Sequence, residues 1–350
     1  MAIPDRESVG LADPLSPASP GSGSSGRPVK AHALGLVQAV VLVAIAASLM
    51  GHLGALWWFF DLGSHFRLQY LGILIAGGAV LLLAREWVWA GMAGLFAIVN
   101  AASILPLYDP PPPPPPGGAP LRVLVFNLLS YNSHHRQVQD YLRAQSPDLS
   151  LLLEVDSAWA RALGELSQQF PHQFHVHRED NFGIAIVSRI PFDDVRSLDL
   201  SPIGIPSIEA QVQWGGHSIT VVGTHPVPPG GATAARLRDS QLSDLARRLG
   251  GLTGPRLLLG DLNATAWSRP FQQLLRDSGL RDSMRGFGLQ PTWPGPFGLF
   301  RLAIDHILVS PEFTVRRREV GPRLGSDHRP LIAELALPDR GSPGASIARP

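Results

Sequence analysis

Long apolar stretches dominate the first third of the chain. Three segments, residues 33–53, 68–84 and 87–107, contain no aspartate, glutamate, lysine or arginine. Each approaches the roughly 20 residues that a helix needs to cross about 30 Å of hydrocarbon. Tryptophan and tyrosine side chains cluster at their ends, where amphipathic rings favour the membrane interface. We therefore predict a transmembrane region over residues 31–108 with about three transmembrane helices, and core helices of a soluble domain are the less favoured alternative.

Charges around these segments indicate an orientation. Arg6, Arg27 and Lys30 precede the first segment, and Arg85 lies between the second and the third. Because basic residues are enriched on the cytoplasmic side of a membrane, the N-terminus is predicted there. Three crossings would make this a multi-pass membrane protein with everything after residue 107 on the non-cytoplasmic side. A re-entrant or two-span hairpin of the second and third segments would reverse that assignment.

Polar and proline-rich segments flank the regions that are predicted to be structured. Residues 1–30 and 339–350 are rich in small polar residues, Gly and Pro without any period, so both are predicted to be disordered. Residues 109–120 form a linker whose unbroken proline run, 110–116, favours an extended polyproline II spacer. A proline-rich ligand for a partner domain is the alternative.

Between residues 121 and 338 the pattern changes to short β-type runs that alternate with amphipathic stretches. This alternation is typical of an α/β domain, and the pair Gly215 and Gly216 is typical of a hairpin turn. Strands are predicted at residues 121–126, 149–153, 183–188, 208–214, 218–224, 256–259, 304–309 and 331–337. Helices are predicted at residues 133–145, 158–169, 233–248 and 269–277.

Composition narrows the chemistry. Only 16% of the residues are charged, against roughly 25% in soluble proteins, which agrees with part of the chain lying in lipid. The absence of cysteine excludes disulfides, thiolate metal sites and cysteine nucleophiles, so a metal ion would need oxygen or imidazole ligands. The net charge of +1 argues against a broadly basic nucleic-acid surface, since duplex binding requires clustered lysine or arginine.

Polar residues capable of metal or proton chemistry stand beside six of the predicted strands. Alone, such a residue is ordinarily a turn signal or a structural histidine. Six such positions in one domain indicate a catalytic cleft. The residues are Asn127, Glu154, His225, Asp261 with Asn263, Asp305 with His306, and Asp327 with His328.

The order of these residues along the chain is informative. The motifs are Phe126-Asn127, Leu153-Glu154, Gly223-Thr224-His225, Gly260-Asp261-Leu262-Asn263, Ile304-Asp305-His306-Ile307 and Ser326-Asp327-His328, supported by Asn181-Phe182-Gly183 and Thr292-Trp293-Pro294. In this order they closely resemble the motif series of the endonuclease/exonuclease/phosphatase superfamily, over residues 121–337. The resemblance implies an α/β domain at residues 121–338 that is a four-layer αββα sandwich, two packed β-sheets flanked by helices, with the active site at one edge.

The resemblance also implies a site for a divalent metal ion. Glu154 is the best ligand, with Asn127 and Asp327 nearby in the family pattern. Such oxygen ligands suit Mg²⁺ or Mn²⁺. The alternative for Glu154 is a carboxylate at the start of a helix, because Asp156 and Ser157 begin an amphipathic run.

His328 is the main candidate for proton transfer. Asp305 is expected to accept a hydrogen bond from its other ring nitrogen, which fixes the tautomer and stabilises the cation. The superfamily gives this pair the same arrangement. His306 follows Asp305 on a strand, so its side chain is expected to point away from the site.

Two further groups complete the predicted site. Asp261 and Asn263 stand two residues apart on an extended segment, so both can face the attacking water, a metal ion or the phosphoryl oxygens. Which role each takes stays open. His225 is assigned to phosphate binding or to protonation of the leaving group, and Asn181 and Asn263 are assigned with it to substrate binding.

These features predict a membrane-anchored, divalent-metal-dependent phosphoesterase that hydrolyses phosphodiester bonds in a nuclease-like manner. The predicted partners are a phosphoester substrate, either nucleic acid or a lipid head group, and the lipid bilayer; no protein partner is inferable. A lipid or inositol phosphate phosphoesterase and a catalytically silent binding domain are the alternatives. Because one fold serves many substrates, the resemblance implies the reaction type and leaves the substrate open.

Overall fold

Three long apolar helices form the N-terminal part of the chain in the computed structural model, which describes residues 26–111, 113, 120–294, 298 and 300–338. A short helix lies between the first two of them. The helices are α1 (Gly26–His52), the short α2 (Trp58–Leu62), α3 (Arg67–Leu83) and α4 (Trp87–Ile104), followed by a 3₁₀ turn over Leu105–Tyr108.

Two of these helices have the length and hydropathy of a membrane span. They cover Ala31–His52 and Trp87–Tyr108, with mean hydropathies of 2.4 and 1.8, and only 22% and 17% of these segments is buried against protein. Core helices of a soluble domain are largely buried, and these two helices are not. Helix α3 has 17 residues and is shorter than the other two. By length and composition, two helices could therefore cross a membrane, where the sequence predicts about three.

The predicted disorder at the N-terminus is wrong where helix α1 extends into it. The helix begins at Gly26, so residues 26–30 are helical. A proline is tolerated in the first turn of a helix, where its missing N–H has no intrahelical partner, so Pro28 does not stop α1. Residues 1–25, most of the proline-rich linker and the predicted tail at 339–350 lie outside the described residues.

Polar contacts show which helix ends lie together. Asn100 near the end of α4 donates from Nδ2 to Oγ of Ser48 near the end of α1, over 2.9 Å. Gln38 in the first half of α1 donates from Nε2 to Oε2 of Glu86, which lies between α3 and α4, over 3.5 Å. The connection between α1 and α3 and the end of α4 therefore share one end of the bundle, and Glu86 lies at the other.

The remainder of the described chain contains twelve strands in two six-stranded sheets. The strands are β1 (Leu121–Asn127), β2 (Leu149–Leu153), β3 (His172–Val176), β4 (Ile184–Ser188), β5 (Phe192–Asp199), β6 (Pro206–Trp214), β7 (His217–Thr224), β8 (Arg256–Asp261), β9 (Arg281–Asp282), β10 (Asp305–Val309), β11 (Thr314–Val320) and β12 (Leu331–Ala336). The first sheet has the order β11-β12-β1-β2-β4-β3 and the second the order β5-β6-β7-β8-β10-β9. One neighbouring pair in each sheet is parallel, β1 with β2 and β7 with β8.

The two sheets pack face to face and helices cover their outer faces. The helices are α5 (His135–Gln145), α6 (Ser157–Gly164), α7 (Ala232–Gly250) and α8 (Arg269–Ser278). Leu151 of the first sheet and Val221 of the second are both buried in the core between the sheets. Trp159 of α6 packs outside the first sheet and Phe271 of α8 outside the second. This arrangement confirms the four-layer sandwich that the sequence predicts.

All eight predicted strands are present, and the four unpredicted strands, β3, β5, β9 and β11, are the edges of the two sheets. The hairpin is confirmed as well, because Gly215 and Gly216 join β6 to β7 with φ angles of 56° and 76°. Helix α6 ends at Gly164, earlier than the predicted residue 169, at a residue that disfavours helix.

Candidate active site

The two parallel strand pairs bring four strand ends to one edge of the sandwich. Asn127 ends β1 and Asp261 ends β8, while Glu154 follows β2 and His225 follows β7. Because parallel neighbours end at the same edge of a sheet, their terminal side chains can share one cleft. Asn127 Nδ2 lies 3.4 Å from Asp261 Oδ2. This contact connects the first sheet to the second.

Glu154 stands where the backbone adopts a conformation that is unfavourable for a residue with a Cβ atom. Its φ is 58°, and side chains held in this left-handed region cluster at functional sites. Oε1 accepts a hydrogen bond from Asn127 Nδ2 at 2.9 Å, and Oε2 accepts one from the backbone N–H of Ser130 at 3.3 Å. The carboxylate is thereby aimed into the cleft.

The helix-start alternative for Glu154 does not fit these contacts. Asp156 is the N-cap of α6, and its side chain accepts the N–H of Trp159 at 2.7 Å. The turn after Glu154 is held instead by Gly183, whose carbonyl accepts the N–H of Val155 at 3.0 Å. A Cβ atom at Gly183 would lie 1.9 Å from the Val155 carbonyl oxygen, so only glycine permits this approach.

Asp261 lies between two histidines. Its Oδ2 is 3.5 Å from Nε2 of His225 and 3.5 Å from Nε2 of His328. His328 in turn donates from Nδ1 to Oδ2 of Asp305 over 2.8 Å, as expected for this pair. The register of β8 with β10 sets Asp261 opposite Asp305, so the ring of His328 is held between two buried carboxylates.

These carboxylates control the charge of the cluster. Burial lowers the pKa of His328, but the charges of Asp305 and Asp261 outweigh burial and raise this pKa to about 10. Burial also acts to lower the pKa of His225, yet the hydrogen bond and charge of Asp261 raise it overall. Burial raises the pKa of Asp261, and the two histidines outweigh that effect and lower it to about 2. Asp261 is thus an anion beside the cationic ring of His328, and His225 is shifted in the direction that favours its cation, which suits binding of a phosphoryl group.

The two asparagines assigned to substrate binding also face this region. Asn263 has a φ of 49°, its N–H donates to Asp261 Oδ1 at 2.9 Å, and its Nδ2 donates to the carbonyl of Pro226 at 3.0 Å. The side-chain oxygen of Asn181 accepts a hydrogen bond from Ser130 Oγ at 3.3 Å. Asn263 therefore orients Asp261, while Asn181 is tied to the loop that holds Glu154.

The donor atoms present fit a hard divalent cation. Asp327 accepts a hydrogen bond from Trp293 Nε1 on Oδ2 at 2.8 Å, while its Oδ1 is buried without a hydrogen-bond partner among the described residues. A buried carboxylate oxygen of this kind is suited to a metal ion. Single ligand atoms of Asp261, Asp305 and His328 also lie within 4.8 Å of one another. Asp305 Oδ1 is also buried without a hydrogen-bond partner among the described residues, but Asp305 does not line the cavity and Asp327 does, so the Asp327 oxygen is the better candidate ligand.

A cavity of about 760 Å³ collects the predicted residues. Those that line it are Asn127, Glu154, Asn181, His225, Asp261, Asn263, Asp327 and His328. Asp305 does not line the cavity, because it is buried behind His328. His306 points away, as predicted, with Nε2 2.8 Å from the carbonyl oxygen of Ala264.

Several lining residues were missed by the sequence interpretation. Leu62, His65 and Phe66 come from the connection between α1 and α3, and no motif marks them. Ser130 holds Glu154 through a backbone N–H, which any residue could supply. Trp293 lies within one of the supporting motifs, so that motif was the signal for its contact with Asp327.

Comparisons with known proteins agree with this geometry. The sequence matches the model of a family described as endonuclease/exonuclease/phosphatase over residues 124–328, which include every candidate site residue of the predicted domain. None of the curated proteins matches the chain.

Solved structures share the fold at low sequence identity. D. rerio TDP2 complexed with a single-strand DNA product is 16% identical with a TM-score of 0.52, covering 62% of this chain and 99% of that chain. The human Nocturnin catalytic domain with bound sulfate is 18% identical with a TM-score of 0.52, covering 62% and 94%. The 3′ phosphatase NExo from Neisseria, bound to a product DNA hairpin, is 24% identical with a TM-score of 0.51, covering 62% and 99%. At these identities the likeness shows the fold alone.

Proposed function

Because this chain belongs to the endonuclease/exonuclease/phosphatase family, whose members hydrolyse phosphoester bonds, we propose that it is a membrane-anchored enzyme that uses Mg²⁺ or Mn²⁺ to cleave phosphodiester bonds. The observation that carries this proposal is the presence, in one cavity, of the Asp261, His225 and His328 cluster beside Glu154 and Asp327. Helices α1 and α4 support the membrane anchor by their length and exposure.

The side chains can divide the reaction between them. In hydrolysis, water adds to phosphorus, the bond from phosphorus to the leaving alcohol breaks, and the alcohol oxygen takes up a proton. His225 and His328 both line the cavity, and each Nε2 atom lies 3.5 Å from Asp261 Oδ2, so both rings can donate hydrogen bonds to a phosphoryl group bound beside Asp261. Asp305 fixes the ring of His328, so the donor keeps one direction. Asp261, held by the N–H of Asn263, can orient the attacking water.

A divalent cation, when bound, would neutralise the non-bridging oxygens of the phosphoryl group. Glu154, Asn127 and Asp327 are the residues that would hold it. Two observations support this assignment: the Glu154 carboxylate is aimed into the cleft by Asn127, and one Asp327 oxygen is buried without a partner among the described residues. Oxygen donors of this kind favour Mg²⁺ or Mn²⁺ over softer metals.

The proposal is tested with the full chain in detergent micelles and the chromogenic diester bis-p-nitrophenyl phosphate. We expect release of p-nitrophenol in Mg²⁺ or Mn²⁺ and its loss in EDTA. A protein that folds but releases no p-nitrophenol at any concentration of either metal would instead be a silent binding domain, and the proposal would be wrong.

A further inference from the structure

Part of the catalytic cavity is built by the membrane region rather than by the hydrolase fold. Leu62 ends α2, and His65 and Phe66 lie just before α3; all three line the cavity beside Asp261 and His328. They belong to the connection between two apolar helices. This connection, residues 53–66, is called the membrane loop below.

The membrane loop is fixed on the catalytic domain by buried polar contacts. Asp61 Oδ1 accepts the N–H of Arg269 at 2.7 Å, and Asp61 Oδ2 lies 3.6 Å from the guanidinium of Arg238. The side chains of Asp61 and Arg238 are only 4% and 1% exposed. His65 Nδ1 lies 2.9 Å from Thr265 Oγ1. These contacts place the membrane loop against the catalytic domain, where Leu62 and Phe66 form one wall of the cavity.

The lining suits a phosphoester with an apolar substituent. Nine of its twenty residues are leucine, isoleucine, phenylalanine, proline or tryptophan, and four are carboxylates. Among the described residues that line it, none is lysine or arginine. Arg178 contacts the lining residue Asp180, but the two form an ion pair at 2.6 Å. A nucleic acid presents further phosphates on either side of the scissile one, and these are ordinarily neutralised by lysine or arginine, which the described lining lacks.

Exposed apolar side chains stand on or beside the segments that line the cavity. Tyr131, which lines it, is 79% exposed, and Phe300, two residues before the lining residue Leu302, is 62% exposed. They are two of the three large hydrophobic residues with such exposure in the described part of 121–338. Trp57 and Phe59 of the membrane loop are exposed too, and their rings are in contact. Aromatic residues at this position are typical of a surface that meets the membrane interface.

We infer that the substrate is an amphiphile presented by the bilayer: a phosphodiester whose apolar chain lies against Leu62 and Phe66 while its phosphoryl group reaches Asp261, His225 and His328. This inference rests on the proposed function and adds the substrate class. Water adds to phosphorus, the bond to one alcohol breaks, and that alcohol takes the proton, while the other alcohol, with its chain, stays esterified.

Two esters with the same scissile bond test the inference. Methyl p-nitrophenyl phosphate and hexadecyl p-nitrophenyl phosphate both release p-nitrophenol and differ only in the alkyl chain. Both are assayed with the full chain in one detergent at saturating Mg²⁺. We expect kcat/KM for the hexadecyl ester to exceed that for the methyl ester by about 100-fold, because several methylene groups of the hexadecyl chain are buried against Leu62 and Phe66.

Variants separate the wall from simple partitioning of the ester into micelles. Phe66→Ala should reduce the hexadecyl-to-methyl ratio by about tenfold, and Phe66→Leu, which keeps an apolar side chain, should restore most of it. Leu56→Ala is the matched control, because Leu56 lies in the same loop, is 73% exposed and does not line the cavity. Its ratio should equal that of the wild type.

The possible failures are distinguishable. Release from neither ester would contradict the proposed function itself. Equal kcat/KM for both esters in the wild type would leave the proposed function intact and overturn the inference. Equal loss on both esters in Phe66→Ala would mean that Phe66 is structural and would also overturn it. Faster hydrolysis of a single-stranded oligonucleotide than of the hexadecyl ester would assign the cavity to nucleic acid.

Discussion

At the scale of single residues, Glu154 is where backbone strain and candidate chemistry coincide. Its φ of 58° is retained although a glycine would adopt it more readily. We expect Glu154→Gln to raise the Mg²⁺ concentration required for half-maximal turnover and to lower kcat by about 100-fold or more, because the amide removes the charge that would hold the ion. The measurement is turnover of bis-p-nitrophenyl phosphate across a Mg²⁺ titration.

A matched glutamate controls for the effect of the substitution itself. Glu319 lies on the edge strand β11 and pairs with Arg317. Glu319→Gln should therefore show the same dependence of turnover on Mg²⁺ concentration as the wild type. If Glu154→Gln also showed the wild-type dependence on Mg²⁺, Glu154 would not be a ligand of the metal ion.

His328 and Asp305 should behave as one unit, because Asp305 does not line the cavity and reaches it only through the His328 ring. We expect His328→Ala to cost about as much kcat/KM as the double replacement with Asp305→Asn, while Asp305→Asn alone costs less. The measurement is kcat/KM on one soluble diester at saturating metal. Losses that multiply independently would leave Asp305 with a separate structural or metal-binding role.

At the scale of elements, the membrane loop has a pH dependence that can be tested. Burial, with a smaller contribution from the charge of Arg238, lowers the pKa of His65 from 6.5 to about 3. The unfolded chain therefore takes up a proton at His65 below pH 6.5 while the folded protein does not. The stability from this docked neutral ring is fully present above pH 6.5 and is lost as the pH falls toward about 3.

The test compares the wild type with His65→Gln, which keeps a hydrogen-bonding group for Thr265 but does not titrate. As the pH falls from 6.5 to 4.5, the free energy of unfolding of the wild type should decrease by up to about 1.4 kcal/mol per pH unit relative to that of the variant. Thermal unfolding in detergent as a function of pH gives this difference. Parallel pH dependences of the two proteins would mean that His65 is not held neutral in the fold.

The strands that the sequence predicts differ in one physical respect from those it misses. The interior strand β2 is buried along its whole length, so its side chains form the continuous apolar run that the pattern detects. The edge strand β5 has one solvated face and is largely exposed, so its sequence resembles that of a polar loop and does not predict a strand. The topology could not be predicted from hydropathy alone, because pairing between β8 and β10 depends on contacts distant in sequence.

The same contrast applies to the site. The predicted site residues stand in short motifs beside strands, so local sequence and the family pattern identified them. Leu62 and Phe66 stand in a region where most residues are hydrophobic, and nothing local separates a cavity wall from a lipid-facing surface. Their role depends on the contact between Asp61 and Arg238, which are 177 positions apart in the sequence.

At the scale of the whole molecule, the ends of α1 and α4 lie together and the catalytic domain follows α4. If the shorter helix α3 crosses the membrane together with α1 and α4, and the positive residues before α1 lie in the cytoplasm, three crossings place that domain on the other side. We expect an alkaline phosphatase fused after Pro120 to be active and green fluorescent protein fused there to be dark. A fluorescent fusion at this position would show that the orientation or the number of crossings is wrong.

The central claim, that this cavity hydrolyses phosphoesters, is tested most directly at Asp261, which joins both histidines and the strand ends of the two sheets. The measurement is kcat/KM for bis-p-nitrophenyl phosphate at saturating Mg²⁺ with the wild type, Asp261→Asn, and the control Asp140→Asn, whose carboxylate is exposed on α5. We expect Asp261→Asn to lose about 1000-fold or more, because the group that orients the water and fixes both imidazoles is gone, while Asp140→Asn retains wild-type turnover. Wild-type turnover in Asp261→Asn would contradict the assignment of this cavity as the active site.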